Sequence, residues 1–270
     1  MKSLIALILI TSLPAGNLLF GQTQSLYSLP GNYRFDYGME QVLINSKHAG
    51  DTSVLHFFYT KSGDYSAVGI SRKANVKGNL LLLFTRDGYA VIFDERKKNI
   101  TVISIRKLLS DLSSLTKYIR LDSLIVNMRD KTEGKNFQSA KTGKTKQIGS
   151  YTSEEYSLSD ARGNKASVWC AKVDFLTLKD YILGAGGGSI LKMMSSRMAT
   201  HPLFQALIQP QTLVTSINAR DSAGKSRMEM QAISINPVSK EIQTSGYQVE
   251  NFSNMTLPEI FQAEMKKRNN

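Results

Sequence analysis

The chain has 270 residues, 41% of them apolar and 21% charged, with 6 prolines and 19 glycines. A folded chain of this size buries roughly 70–75% of its unfolded surface, and this composition excludes a disordered or collagen-like polymer. One cysteine excludes an internal disulfide framework and a cysteine-cluster metal site, while 34 Lys and Arg against 22 Asp and Glu give a basic net charge of +12.

Lys2 precedes an apolar run from Leu4 to Leu13, followed by Pro14-Ala15-Gly16. That is the layout of a secretory signal peptide. A bilayer span needs about 20 apolar residues, and Pro14, Gly16 and Asn17 interrupt this run. The expectation is cleavage after Gly21, leaving 22–270 as one domain with no transmembrane span. A lipoprotein needs a cysteine just after the apolar run, and the sole cysteine is Cys170. The mature chain is therefore expected in the periplasm or secreted, without a lipid anchor. In that compartment nucleic acid is not an expected partner, and no RNA-binding or zinc-finger pattern is present.

Tyr33, Phe35, Tyr37 and Met39 alternate with polar residues, the period-two mark of a half-buried strand. Val54 to Tyr59 is a second strand. Leu80 to Phe84 and Tyr89 to Phe93 flank Arg86-Asp87-Gly88, which predicts a hairpin whose Gly supplies the positive-φ turn. Ile100 to Ile105 continues as a strand. Leu108, Leu109, Leu112, Leu115 and Ile119 then recur at helical spacing, predicting an amphipathic helix over 106–120.

Residues 129–141 read as a polar loop, and Arg129 to Lys146 hold 6 basic residues against Asp130 and Glu133. Three antiparallel strands are predicted at 145–148, 151–158 and 165–172, with a turn at Asp160 to Gly163. A helix over 176–183 is expected to break at Gly184 to Gly188, because each Gly costs a helix about 1 kcal/mol. A second helix over 190–208 carries Met193, Met194, Met198, Leu203, Phe204 and Leu207 on its apolar side. Strands at 212–219, 227–235 and 247–249 follow, then a helix over 258–267 with Thr256 as N-cap. Short-turned strands with interspersed helices and no βαβ rhythm predict an α+β domain, an antiparallel sheet with helices on one face.

Catalytic patterns fail on inspection. Gly143-Lys144-Thr145 lacks the first glycine of a phosphate loop, since position 138 is Gln138. His48 and His56 fall about 10 Å apart across a hairpin, too far to share one zinc ion. Glu154 and Glu155 are strand neighbours and point to opposite faces, so they cannot flank one glycosidic bond. Cys170 has no adjacent cation to lower its pKa and reads as a buried inert thiol. No catalytic residue, metal or cofactor is expected, and the chain reads as a non-enzyme.

The run Lys141-Thr142-Gly143-Lys144-Thr145-Lys146-Gln147-Ile148-Gly149-Ser150-Tyr151, with Glu155-Tyr156 and Val168-Trp169, resembles the core pattern of domain of unknown function 4412. Ala90 to Asp94, His201-Pro202-Leu203, Leu213-Val214-Thr215 and Ser245-Gly246-Tyr247 fit its flanking parts. That family comprises exported envelope proteins of Gram-negative bacteria. Two departures stand out: Ser150 separates Gly149 from Tyr151, and Ser153 stands where a cysteine is common, which would leave Cys170 free. The resemblance implies distant kinship with LolA-like lipoprotein carriers, and so a curved antiparallel half-barrel whose concave face is covered by helices around an apolar cavity. Two readings follow. In the first, a lipid or other apolar ligand meets Met193, Met194, Met198, Leu203 and Trp169, while Lys141, Lys144 and Lys146 meet an anionic headgroup or envelope surface. In the alternative, the core is filled and the basic 129–149 loop docks the protein to envelope components.

Overall fold

The computed structural model describes residues 26–45, 52–72, 80–118, 138–187 and 202–269. The predicted signal peptide, His48, His201, Met193, Met194 and Met198 lie outside the described residues, as does 129–137 of the predicted basic loop.

In chain order the elements begin with β1 (Asn32–Asn45), β2 (Thr52–Tyr59), β3 (Tyr65–Arg72), β4 (Leu80–Thr85), β5 (Tyr89–Asp94) and β6 (Asn99–Ser104). Next come α1 (Ile105–Tyr118), β7 (Gln138–Ile148), β8 (Tyr151–Ser159) and β9 (Lys165–Lys172). Then follow α2 (Leu178–Ile182), α3 (Pro202–Ile208), β10 (Thr212–Arg220), β11 (Ser226–Gln243), β12 (Gln248–Phe252) and α4 (Leu257–Asn269). The strands form one 12-stranded sheet in the order β12-β6-β5-β4-β3-β2-β1-β11-β10-β9-β8-β7. Every pairing is antiparallel except β12 with β6, which is parallel. β1 and β11, the two longest strands, pair at the centre and join the N-terminal strands to the C-terminal ones.

Local chemistry accounts for much of this. Tyr33, Phe35, Tyr37 and Met39 are buried while Arg34, Asp36 and Glu40 are exposed, as the alternation predicts. The β4–β5 hairpin closes through Gly88 at φ +85, whose N–H donates to the Thr85 carbonyl at 3.0 Å. Leu83 and Val91 pack in one cluster and Phe84 and Ala90 in another, so these strands are covered on both faces, which explains their unbroken apolar runs. The Ser104 hydroxyl caps α1 by accepting from Lys107 N–H, and Thr256 with Glu259 forms a reciprocal capping box at the start of α4.

Several predicted boundaries shift. Residues 138–141 are the start of β7, paired from Gln138 with Ser159, instead of a loop. Nearly all of β7 is exposed because it is the last strand of the sheet, and an edge with no buried face leaves no hydrophobic period to read. The α-helix ends at Ile182, next to the glycine run, but the described chain goes on as a π-helical turn over Leu183–Gly187 with Ala185 buried beneath Phe84 and Tyr181. The strand β3 has no counterpart among the predicted elements.

The sheet is strongly bent. The Phe175 ring stacks on Tyr59 of β2 at 4.5 Å and meets Tyr151 of β8 edge-on at 5.9 Å. β2 and β8 stand five places apart in the sheet, a separation of about 24 Å if it were flat. Curvature must bring them together around Phe175, with Tyr37, Met39, Ile148, Ala171 and Ile235 in the same cluster. Leu203 of α3 packs instead on Tyr156, Val168 and Cys170. Since Cys170 and Ala171 are neighbours on one strand, α3 lies on the face turned away from Phe175. The helix predicted over 190–208, where it is described, therefore sits outside the curl and not over its concave face. No described helix is long and apolar enough to cross a membrane.

Candidate functional site

The β7–β10 end of the sheet holds the described candidates from the sequence, and strand alternation divides them between two faces. Lys141 lies opposite Tyr156 in the register and its ammonium pairs with Glu154 at 2.7 Å, on the face that carries Leu203. That contact raises the Lys141 pKa. Lys144 and Lys146 lie with Trp169 on the other face. Lys144 pairs with Glu155 at 3.4 Å, and the Lys146 ammonium stands 4.6 Å over the Trp169 ring. Burial lowers the Lys146 pKa, partly offset by Glu155. The Glu155 carboxylate is held below its ordinary value, first by the Ser167 hydroxyl at 2.6 Å and then by Thr142 and Lys144. Glu154 and Glu155 do point to opposite faces, as the strand reading requires. The structure thus separates Leu203 and Lys141 from Trp169, Lys144 and Lys146 by the thickness of the sheet.

Cys170 is a free, buried thiol whose pKa is pushed up to about 12 by burial, so it carries little thiolate at neutral pH. Ser153, where the resemblance leads one to look for a cysteine, shares a buried hydrogen bond of 2.9 Å with Thr215.

Beyond α3, on the same outer face, a groove of about 440 Å³ opens. Its apolar floor is Leu158, Ala166 and Ala219, three direct register neighbours on β8, β9 and β10. Leu158 also packs in the Leu203 cluster, so the groove prolongs the surface that α3 covers. Two hairpin turns of the same design form its end wall. Asp160 and Asp221 each accept from the backbone of their own turn, and each turn closes on a glycine of positive φ, Gly163 and Gly224. Asn164 Oδ1 accepts from Ser222 N–H and ties the two turns together. Arg227 pairs with Asp221 at 2.8 Å, while Lys165 and Arg220, next along β9 and β10, point to the other face, where Arg220 Nε donates to Asn218 Oδ1 at 3.2 Å. The sequence shows the Asp160 to Gly163 turn, but the groove depends on its meeting the second turn some sixty positions away, and no local signal announces that.

Asp174, just past β9, accepts hydrogen bonds from Tyr37 at 3.0 Å and from Tyr151. The Tyr151 hydroxyl, and then that of Tyr37, hold its carboxyl below the ordinary range. A depressed folded-state pKa gives stability that is present above the unfolded value near 3.9 and lost as pH falls through the folded one. Asp174→Asn is expected to flatten the acid limb of the stability–pH curve below about pH 4, modestly because the group is exposed. Urea midpoints measured between acid and neutral pH check this; a variant curve parallel to the parent over that range would refute it.

No protein-family model and no curated protein matches the chain, so the resemblance to domain of unknown function 4412 has no family match behind it. Among solved structures it is similar to an uncharacterized conserved protein from Thermus thermophilus, 3% identical over 76% of this chain and 80% of that one, at TM-score 0.34. It is similar to the MucA/MucB complex structure from Pseudomonas aeruginosa, 8% identical over 76% of this chain and 52% of that one, at TM-score 0.33. A LolA superfamily protein from Nitrosomonas europaea is 10% identical over 75% of this chain and 85% of that one, at TM-score 0.25. The chain thus spans about half of the MucA/MucB chain it matches. Likenesses of this size carry no argument about the role of the chain, which rests on its own geometry: one bent sheet with an open groove beside α3.

Proposed function

We propose that the chain is an exported, non-enzymatic envelope protein on a LolA-like curved sheet, and that it holds a lipid or other apolar ligand in the groove beside α3. The observation that carries this reading is the groove itself. Its volume of about 440 Å³ falls in the range of small-molecule sites, roughly 300–1,000 Å³, and its floor is apolar with polar groups at one end. The Asp160 and Asp221 turns, with Arg227 held by Asp221, supply the polar end. The inside of the curl is filled at the Phe175 cluster, as the filled-core alternative expects, so this reading assigns the ligand to the outer face. The alternative, docking through a basic 129–149 loop, draws less support, because Lys141 and Lys144 are committed to Glu154 and Glu155.

Filling the groove tests this. Ala166→Trp places an indole over the floor, and binding of a fluorescent fatty acid is expected to weaken at least about tenfold, equivalent to about 1.4 kcal/mol. Native mass spectrometry of protein purified from its own host should show an extractable lipid adduct that the variant lacks. Unchanged fatty-acid affinity in Ala166→Trp together with an adduct-free parent would overturn the reading.

A further inference from the structure

The C-terminal helix carries its apolar residues on the wrong side for a core. Phe261 is 63% exposed and Met265 64% exposed. Four positions apart, they are neighbours on one helix face. Leu257, Ile260 and Ala263 are the partly covered positions of the same helix, and Leu257 N–H donates to Asp111 of α1 at 2.8 Å. So α4 is docked on the fold by one side and turns Phe261 and Met265 outward.

The exposure continues beyond the helix. Val249 on β12 and Met255 just before α4 are also exposed, as is Leu26. The segment after Leu26 is stitched to β12 and the residue beyond it, Tyr27 N–H donating to Ser253 Oγ and Asn251 Nδ2 to the Tyr27 carbonyl. Among the described residues, 8 large apolar side chains are exposed. Five of them therefore gather at this one end of the sheet. Residues 266–268 of α4 are Lys-Lys-Arg, in a chain of net charge +12. Exposed apolar side chains at one edge of the sheet, beside the exposed Arg96, Lys97 and Lys98 of the turn that hydrogen-bonds the start of β12, match the surface of an anionic bilayer, where aromatic and aliphatic groups enter the headgroup boundary and cations meet lipid phosphates.

We infer that the α4–β12 end of the molecule is a docking surface for anionic lipid bilayers, with Phe261 and Met265 as the inserting side chains. The inference stands apart from the groove, which opens at the other end of the sheet. Full-length protein should co-sediment with phosphatidylglycerol–phosphatidylcholine vesicles, more weakly with pure phosphatidylcholine vesicles, and less as salt is raised. Phe261→Asp with Met265→Asp should weaken vesicle binding at least about tenfold. Its thermal melt should not change, since both side chains are exposed. Ala166→Trp should bind vesicles like the parent, which separates failure here from failure of the groove reading. Equal vesicle binding by the double variant would overturn the inference. So would a parent that ignores both vesicle types but forms a concentration-dependent dimer that the double variant abolishes, because the patch would then be an interface between copies of the chain.

Discussion

Gly149→Ala is expected to destabilise the fold by about 3–5 kcal/mol, a value reached by few single substitutions. Gly149 sits in the turn between β7 and β8 at φ +57, where a side chain costs roughly 1–2 kcal/mol. The larger part is steric. A Cβ there would stand 2.4 Å from the Ile235 carbonyl oxygen of β11, a backbone atom that cannot rotate aside. Ile235 pairs with Met39 in the register, and both lie in the cluster that holds the sheet in its curl. Relief would require the turn to back away from β11 and take Ile148 out of that cluster. Gly143→Ala is the control. Its φ is +82 but nothing lies within 4 Å, so only the backbone strain of about 1 kcal/mol remains. Urea denaturation should show a large loss of midpoint for Gly149→Ala at unchanged slope. If the two alanine variants unfold together, the close approach of the turn to β11 is not what holds this end of the sheet.

What the chain reveals before folding is what its own neighbours decide. The alternation of Tyr33 to Met39, the Asp87-Gly88 turn and the Thr256 cap are settled within a few residues, and each stands where the sequence places it. The strand β3 is different. Ser66, Ala67 and Gly69 are weak strand formers, and β3 exists because β2 and β4 offer hydrogen-bond partners on both sides. The same holds for the pairing of β1 with β11 and for the parallel return of β12 beside β6, both set by contacts far apart in sequence. The candidate site is partly readable: strand alternation alone separates Trp169 from Val168 and Cys170, and Glu154 from Glu155. The groove is not, because it needs two turns that only the sheet order brings side by side.

Phe175→Ala should cost about 3–5 kcal/mol, the ordinary range for emptying a buried phenylalanine site. Phe175 is 1% exposed and belongs to no strand; it follows β9 and fills the inside of the curl. Its ring lies 4.5 Å from Tyr59, 4.9 Å from Tyr37 and 5.9 Å from Tyr151, so it touches β1, β2 and β8 together. Offset and edge-on aromatic contacts add about 0.5–1.5 kcal/mol beyond burial. Removing the ring leaves strands that are distant in sheet order with nothing between them, and collapse of the site would require tighter curvature than the Gly149–Ile235 contact allows. Phe175→Leu keeps most of the volume and should lose much less, though the ring contacts go with it. Because Tyr37 and Tyr151 reach Asp174 from this same cluster, Phe175→Ala should also weaken the acid-side pH dependence that Asp174 brings. A loss below about 1 kcal/mol, with that pH dependence intact, would mean the curl is held by the strand register and not by this ring.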